Sequence, residues 1–122
     1  VRNQRGSIVG PPMAQVPTEF FVGHLGPCRK YSSCEWAGAA NLDEAETKTF
    51  DSYLQKMGIE TVPTDGSGTV LEVGNGWGSF LLYAASKHPA ITFVGFSNSA
   101  TQQKHIMSEA ERRGLGNVTS LR

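Results

Sequence analysis

Residues 70–79 read VLEVGNGWGS, with three glycines at alternate positions directly behind a short apolar run. The run has the length of a buried β-strand, and residues 80–87 behind the glycines have the apolar spacing of a helix. Glycine has no Cβ atom, so Gly74, Gly76 and Gly78 allow a tight turn and leave main chain accessible where the helix starts, which suits a bound ligand. The stretch therefore predicts a strand, a ligand-holding turn and a helix.

Strands and helices alternate through the second half of the sequence. The periodicity predicts strands at 69–73 and 91–96, a third strand from residue 117, and helices at 77–88 and 100–113. Such alternation implies parallel pairing through right-handed crossovers. The predicted fold class is therefore α/β, with an open, Rossmann-like parallel sheet that binds ligands at the carboxyl ends of its strands.

The first 40 residues differ in composition from the rest and are predicted to form an N-terminal arm. Glycine and proline breakers without a period fill residues 1–16, and residues 17–25 predict a short helix with proline in its first turn. A longer helix begins after Asn41, a suitable N-cap because Glu44 follows three residues later. The apolar side chains of this helix are predicted to share one face: Leu42, Ala45, Phe50, Tyr53, Leu54 and Met57.

The composition argues against several classes of function. The 122 residues include 11 basic and 11 acidic side chains, a balance that predicts no surface for nucleic acid. No apolar run approaches the ~18 residues of a transmembrane segment. Cys28 and Cys34 are too few for a disulfide framework, and with His24 they match no common zinc pattern. We therefore expect no bound metal and a cytoplasmic location.

Two classes of nucleotide-containing ligand compete for the glycine turn. The dinucleotide motif GxGxxG/A needs glycine or alanine where this chain has Ser79, and an acid after the second strand, where residues 96–99 read FSNS. The acid lies in the first strand instead, as Glu72. The resulting pattern, acid-x-G-x-G-x-G, favours a nucleoside joined to an amino acid over a ligand with a pyrophosphate, and makes a nicotinamide oxidoreductase the weakest candidate.

Three motifs in order resemble one enzyme family. LEVGNGWGSFLLYAASKHP at 71–89 and FVGFSNSATQ at 93–102 resemble the cofactor motifs of S-adenosylmethionine-dependent methyltransferases, in particular the group of cyclopropane-fatty-acid synthases and coclaurine N-methyltransferases. VPTEFFVGHLGPCRKYSSCEW at 16–36 resembles the N-terminal segment of that group. The resemblance covers residues 16–118. It implies a class I methyltransferase fold, with S-adenosyl-L-methionine as cofactor and residues 41–122 as the first half of its binding domain.

The resemblance also implies roles for individual residues. The turn glycines pack against the methionine part of the cofactor, and Glu72 orders the turn. Side chains after the second strand contact ribose and adenine, although Gln102 is explained equally well as part of a capping box with Ser99. A Tyr-Ser pair in the N-terminal segment folds over the cofactor. The implied cofactor-binding residues are Tyr31, Ser32, Glu72, Gly74, Asn75, Gly76, Trp77, Gly78, Ser97, Asn98 and Gln102.

The implied reaction is methyl transfer to a small-molecule acceptor such as an amine. One alternative is a cyclopropane synthase acting on lipid acyl chains, in which the residue after the Tyr-Ser pair is commonly Cys, whereas this chain has Ser33. Another is a non-catalytic S-adenosylmethionine-binding or interaction fragment. No catalytic residue is assigned, because the resemblance places the acceptor-facing residues after the third strand.

The sequence predicts fewer strands than a complete sheet of the implied fold contains. A methyltransferase sheet of the implied kind has about seven strands, and this sequence predicts two to three. We therefore expect the chain to be the N-terminal part of a longer protein, inactive without a missing C-terminal half. We also expect the strand at 69–73 to have an unpaired edge.

Overall fold

A computed structural model describes residues 18–122 of the protein. The predicted arm at residues 1–16 and Pro17, where the first helix is predicted to begin, lie outside the described residues. The elements are, in chain order, α1 (Thr18–His24), α2 (Leu42–Lys56), a 3₁₀ turn (Ile59–Thr61), β1 (Thr69–Val73), α3 (Ser79–Lys87), β2 (Thr92–Phe96), α4 (Ala100–Arg112) and β3 (Val118–Leu121). The predicted strands and helices are confirmed, with ends that shift by one or two residues.

The three strands form one parallel sheet in the order β1-β2-β3. Leu71 lies opposite Val94, and Phe96 lies opposite Leu121. Within the described residues β1 pairs with β2 alone, so the expected edge is present there. The α/β fold class with an incomplete, Rossmann-like parallel sheet is confirmed.

The two faces of this sheet have different surroundings. Helices α3 and α4 cover one face, where Val70, Phe93 and Val118 are buried in a shared apolar core with helix residues such as Leu81 and Ile106. The opposite face presents large apolar side chains to solvent, and the exposed fractions are 61% for Leu71, 73% for Val73, 44% for Phe96 and 48% for Leu121. Among residues 18–122, none of the helices combines the length and the hydropathy that a membrane span requires.

The start of α2 confirms the predicted cap. The Asn41 side chain accepts a hydrogen bond from the Glu44 backbone N–H at 3.0 Å. In a standard capping box the Glu44 carboxylate would accept from the Asn41 N–H, but here it accepts from the Ala40 N–H at 2.9 Å. The cap therefore includes one more residue of the preceding loop than the motif predicts.

The predicted apolar face of α2 is wrong in part. Ala45, Phe50 and Leu54 are buried, whereas Leu42, Tyr53 and Met57 are 38–43% exposed. Two polar residues are buried in their place: Glu46 accepts a hydrogen bond from the Cys28 N–H at 3.3 Å, and Thr49 accepts one from the Glu35 N–H at 2.7 Å. The physical reason is that α2 accepts hydrogen bonds from the backbone of the loop before it and also packs against α3.

Candidate functional site

The turn after β1 has the backbone that only glycine adopts readily. Gly74, Gly76 and Gly78 have φ values of 77°, 51° and 77°. A Cβ atom built on Gly74 or Gly76 would meet no atom within 4 Å, whereas one on Gly78 would lie 2.6 Å from the Ile106 side chain. The first two glycines therefore face open space, and the third allows α4 to pack closely against the turn.

A cleft of about 250 Å³ lies beside this turn. One wall is the turn itself, and the other walls come from the loop before α2 and from α2 and α3. Seven of the predicted cofactor residues line it: Tyr31, Ser32, Glu72, Gly74, Asn75, Gly76 and Trp77. The lining does not include the other four, Gly78, Ser97, Asn98 and Gln102.

Glu72 is a carboxylate with incomplete hydrogen bonding in the wall of this cleft. It accepts a hydrogen bond from the Leu81 backbone N–H, in the first turn of α3. Its Oε2 atom is buried and has no hydrogen-bond partner among the described residues. Burial raises the pKa of Glu72 to about 7, and the Leu81 hydrogen bond opposes that rise only in part. Glu72 thus bridges β1 and α3, and its ionised form is poorly solvated.

The Asn75 side chain packs into the sheet. Asn75 is 3% exposed, and its Nδ2 lies 3.5 Å from the Ser120 hydroxyl. A Cβ atom at Gly95 would collide with this amide and with Leu81, so β2 needs glycine at that position. Sequence reasoning missed Gly95, for which a glycine inside a predicted strand was the available signal. The Asn75 Oδ1 is buried without a partner in the described part of the chain.

Trp77 joins the glycine turn to the N-terminal helix. It is 6% exposed, and its ring centroid lies 5.4 Å from that of Phe21 in α1 and 5.4 Å from that of His105 in α4. The Tyr31 ring lies 5.8 Å from Phe21 and is 60% exposed. Aromatic packing at these distances is favourable beyond its apolar area. Trp77 therefore anchors α1 and the Tyr31 loop next to the turn.

The polar residues after β2 bond to one another. The Ser97 hydroxyl donates to the Gln102 side-chain oxygen at 3.0 Å and accepts from the Ser99 N–H at 3.3 Å. Ser99 caps α4 by accepting from the Gln102 N–H at 3.4 Å, as its spacing predicts. The Gln102 side chain does not accept a hydrogen bond from the Ser99 N–H, as a capping box requires. Asn98 is exposed.

Lys30 also lines the cleft, and sequence reasoning missed it. It is 7% exposed, which is unusual for lysine. Its position next to Tyr31 and Ser32 was the only signal in the sequence, because nothing in the local pattern predicts burial of a charged residue in a polar loop.

Cys28, Asp43 and Glu46 form a separate group beneath the loop. Their potential metal-ligand atoms lie within 4.8 Å of one another. Burial raises the pKa of Cys28 to about 12, and the adjacent Glu46 carboxylate contributes to this rise by charge and by a hydrogen bond. Within this group the Cys28 N–H donates a hydrogen bond to the Glu46 carboxylate at 3.3 Å, which ties the loop to α2.

The comparisons with known proteins agree with this geometry. The sequence profile of the family described as mycolic acid cyclopropane synthetase matches residues 14–122. The chain belongs to this family. The match confirms the resemblance to cyclopropane synthase-like and coclaurine N-methyltransferase-like proteins.

Individual relatives come from both branches of this group. A probable (S)-tetrahydroprotoberberine N-methyltransferase 2 from Papaver bracteatum is 35% identical over 105 residues, which are 85% of this chain and 28% of that protein. The cyclopropane-fatty-acyl-phospholipid synthase of Escherichia coli K12 is 30% identical over 108 residues, 88% of this chain and 27% of that protein. The chain therefore spans less than a third of the length of these relatives.

The fold comparison gives the same group. The crystal structure of coclaurine N-methyltransferase bound to N-methylheliamine and SAH matches with a TM-score of 0.76 and 32% identity, over 87% of this chain and 30% of that chain. The described sheet and helices therefore share the fold of a solved N-methyltransferase.

Proposed function

We propose that the cleft beside the glycine turn binds S-adenosyl-L-methionine and that the protein is a methyltransferase. The open space in front of Gly74 and Gly76 is the observation that carries the proposal, because it lets a ligand rest against the backbone at the start of α3. A buried, unpartnered carboxylate oxygen on Glu72 fits a ligand that carries a cation. When bound, this cofactor supplies an electrophilic methyl group.

The chain's own residues would bind and orient the cofactor. Gly74 and Gly76 would allow close approach, Glu72 would favour the ammonium of the methionine part, and Tyr31 and Ser32 would cover the ligand and exclude water. Asn75 and Trp77 would support the turn by packing, since both are buried. Gly78 would act indirectly by allowing α4 to approach.

The second turn would hold the adenosine part through Ser97, Asn98 and Gln102. The positions of these residues after β2, next to the glycine turn, support this proposal. Ser97 and Gln102 are bonded to each other, so ligand binding there would exchange that hydrogen bond for contacts to the ligand. The division of the chain into an arm at 1–40 and a binding domain from residue 41 stays part of the same proposal.

For the acceptor, we favour a small-molecule amine. N-methyltransferases are among the relatives, and the solved one holds N-methylheliamine. Ser33 follows the Tyr-Ser pair, where cyclopropane-forming members commonly have Cys. A lipid acyl chain is the second candidate, favoured by the 30% identity to the Escherichia coli synthase. We propose a cytoplasmic location, on the ground that the two cysteines are both free.

Calorimetric titration of the full-length protein with S-adenosylhomocysteine and, separately, with NAD tests the cofactor proposal. We expect S-adenosylhomocysteine to bind and NAD to give no heat of binding. Binding of NAD alone would contradict the proposal. Methyl transfer by the full-length protein, from labelled cofactor to a tetrahydroprotoberberine or to phospholipid vesicles, then separates the amine acceptor from the lipid acceptor.

A further inference from the structure

Lys30 is a buried cation whose charge is not paired with a carboxylate. It is 7% exposed, and none of the salt bridges within residues 18–122 includes it. Transfer of an ammonium group out of water costs free energy unless other groups replace its hydration. The structure must therefore supply polar partners to Lys30, and the identity of those partners indicates its role.

The partners are all in the next three residues of the loop. The Lys30 ammonium donates to the Ser32 carbonyl at 2.9 Å, to the Ser32 hydroxyl at 2.6 Å and to the Ser33 carbonyl at 2.5 Å. These bonds use all three N–H donors of the ammonium. Because no donor is left over, Lys30 does not need a ligand in the cleft to satisfy it.

One contact with α2 and one unusual backbone conformation further constrain this loop. The ammonium lies 5.8 Å from the centroid of the Tyr53 ring, on α2, which is within range of a cation–π interaction. The preceding residue, Arg29, has a φ of 55°, a left-handed conformation that is uncommon outside glycine. Strained backbone persists only where its surroundings hold it, and here the surroundings include the contacts of Arg29 to His105, at 3.0 Å, and to the Trp77 ring, with the buried Lys30 next to it.

We propose that Lys30 is a positioning residue that holds Ser32 and Ser33 against α2 and so keeps the Tyr31–Ser33 loop in place across the cleft from the glycine turn. This inference rests on the proposed cofactor site and deepens it. Lys30 acts through the loop, not by touching the cofactor. Without its ammonium, three acceptor atoms of the loop would lose their donor and accept hydrogen bonds from water instead. The wall of the cleft that this loop forms would then become mobile.

The variant Lys30→Met tests this role, because it keeps an unbranched side chain and removes all three donors. Lys104→Met, on the exposed surface of α4 and outside the cleft lining, is the matched control. Two quantities are measured on each protein: hydrogen exchange of residues 31–36 without ligand, and the Kd for S-adenosylhomocysteine. A general loss of stability would raise exchange in β1–β3 as well, so the strands serve as an internal reference.

We expect Lys30→Met to speed exchange at residues 31–36 while the strands stay protected, and to raise the Kd by about tenfold. Lys30→Arg should restore part of the affinity because it keeps the charge and several donors. A Kd within about twofold of the wild-type value, or unchanged exchange at 31–36, would overturn the proposal. If Lys30→Met does not fold, Lys30→Gln replaces it: its amide keeps part of the donor set, so we expect a smaller rise in Kd, about threefold, with faster exchange at residues 31–36, and unchanged exchange there would overturn the proposal.

The two proposals fail in different ways. If the wild-type protein does not bind S-adenosylhomocysteine, the cofactor proposal fails, and the exchange measurement still tests whether Lys30 holds the loop. If wild-type and Lys30→Met bind equally well, the cofactor site stands and the role of Lys30 is refuted.

Discussion

The turns after β1 and β2 lie side by side at the same edge of the sheet. They differ in the hydrogen bonding of their polar groups. The Gly74 N–H bonds to the Phe96 carbonyl at 2.7 Å, so the two turns touch. The first turn leaves open space at Gly76 and a buried Glu72 oxygen without a partner among the described residues. In the second, Ser97, Ser99 and Gln102 satisfy one another.

The effect of a polar residue on ligand binding depends on whether it already has a hydrogen-bond partner in the folded protein. An unpaired polar group in a cleft costs folding free energy and gains most when a ligand arrives. A paired group already stabilises the fold and gains less, because it must first give up its partner. The first turn should therefore dominate affinity, and the second should contribute mainly to stability.

The largest expected effect is loss of binding in Gly76→Val. A β-branched side chain would fill the open space in front of the turn, and the affinity for S-adenosylhomocysteine should fall by about 100-fold or more. Calorimetry measures this directly. Gly114→Val is the matched control, because Gly114 also has a positive φ, 69°, and open surroundings, but it lies just after α4 and outside the cleft lining.

The control separates backbone strain from steric filling. Both variants should lose a similar amount of stability in a thermal melt, since valine is strained at either position. Undiminished affinity in a folded Gly76→Val protein would show that the ligand does not approach this backbone.

Glu72→Gln should have the next largest effect. Its effect on the free energy of unfolding depends on pH. The folded-state pKa of Glu72 is about 7, above the ordinary value of 4.5, so the folded protein binds this proton more tightly than the unfolded chain. Its contribution to stability is complete below pH 4.5 and is lost as the pH rises through 7. A glutamine side chain does not ionise and avoids that loss, so the variant should be up to about 3 kcal/mol more stable than wild type at high pH.

The same substitution, which should increase stability at high pH, should decrease the affinity for the ligand there. The ionised carboxylate attracts the ligand ammonium, so wild-type affinity should increase as the pH rises from about 6 to about 8, on the order of tenfold. In Glu72→Gln this dependence should disappear and the affinity at the upper end of this range should be lower. Chemical unfolding and calorimetry across the range from about pH 4 to about pH 8 measure both effects, and a pH-independent stability difference would refute the role assigned to burial.

Ser99→Ala tests the second turn as a structural unit. It removes the oxygen that caps α4, so the free energy of unfolding should drop by about 1 kcal/mol. The Kd for S-adenosylhomocysteine should change little if this turn mainly supports the helix. A large loss of affinity with an unchanged melting temperature would show that the second turn contributes to binding and not mainly to stability.

Gln102→Ala should have the smallest effect. The cap uses the backbone N–H of residue 102, which alanine keeps, so only the Ser97 hydrogen bond is lost and stability should fall by a few tenths of a kcal/mol. The Kd for S-adenosylhomocysteine should rise only about threefold, because the contact that Gln102 would make to the adenosine part replaces its hydrogen bond to Ser97. An unchanged Kd would remove Gln102 from the binding site, and a rise of about tenfold would show that the second turn also contributes strongly to affinity.

The sequence by itself determined the elements and their order. The apolar period of β1 and β2, the glycine turn between β1 and α3, and the caps at Asn41 and Ser99 were all predictable, because each depends on residues within a few positions of one another. The alternation of strands and helices then limited the fold to a parallel sheet, since only that arrangement connects them with short crossovers.

Only the tertiary structure decided which side chains are paired, buried or open. Gly78 lies against Ile106 of α4, far along the chain, and Asn75 packs over Gly95 in the next strand. Lys30 is buried although its local sequence is polar, because α2 folds over the loop and supplies Tyr53. Contacts between residues far apart in the chain leave no local pattern, and the free energy of a polar group depends on the partners that such contacts bring to it.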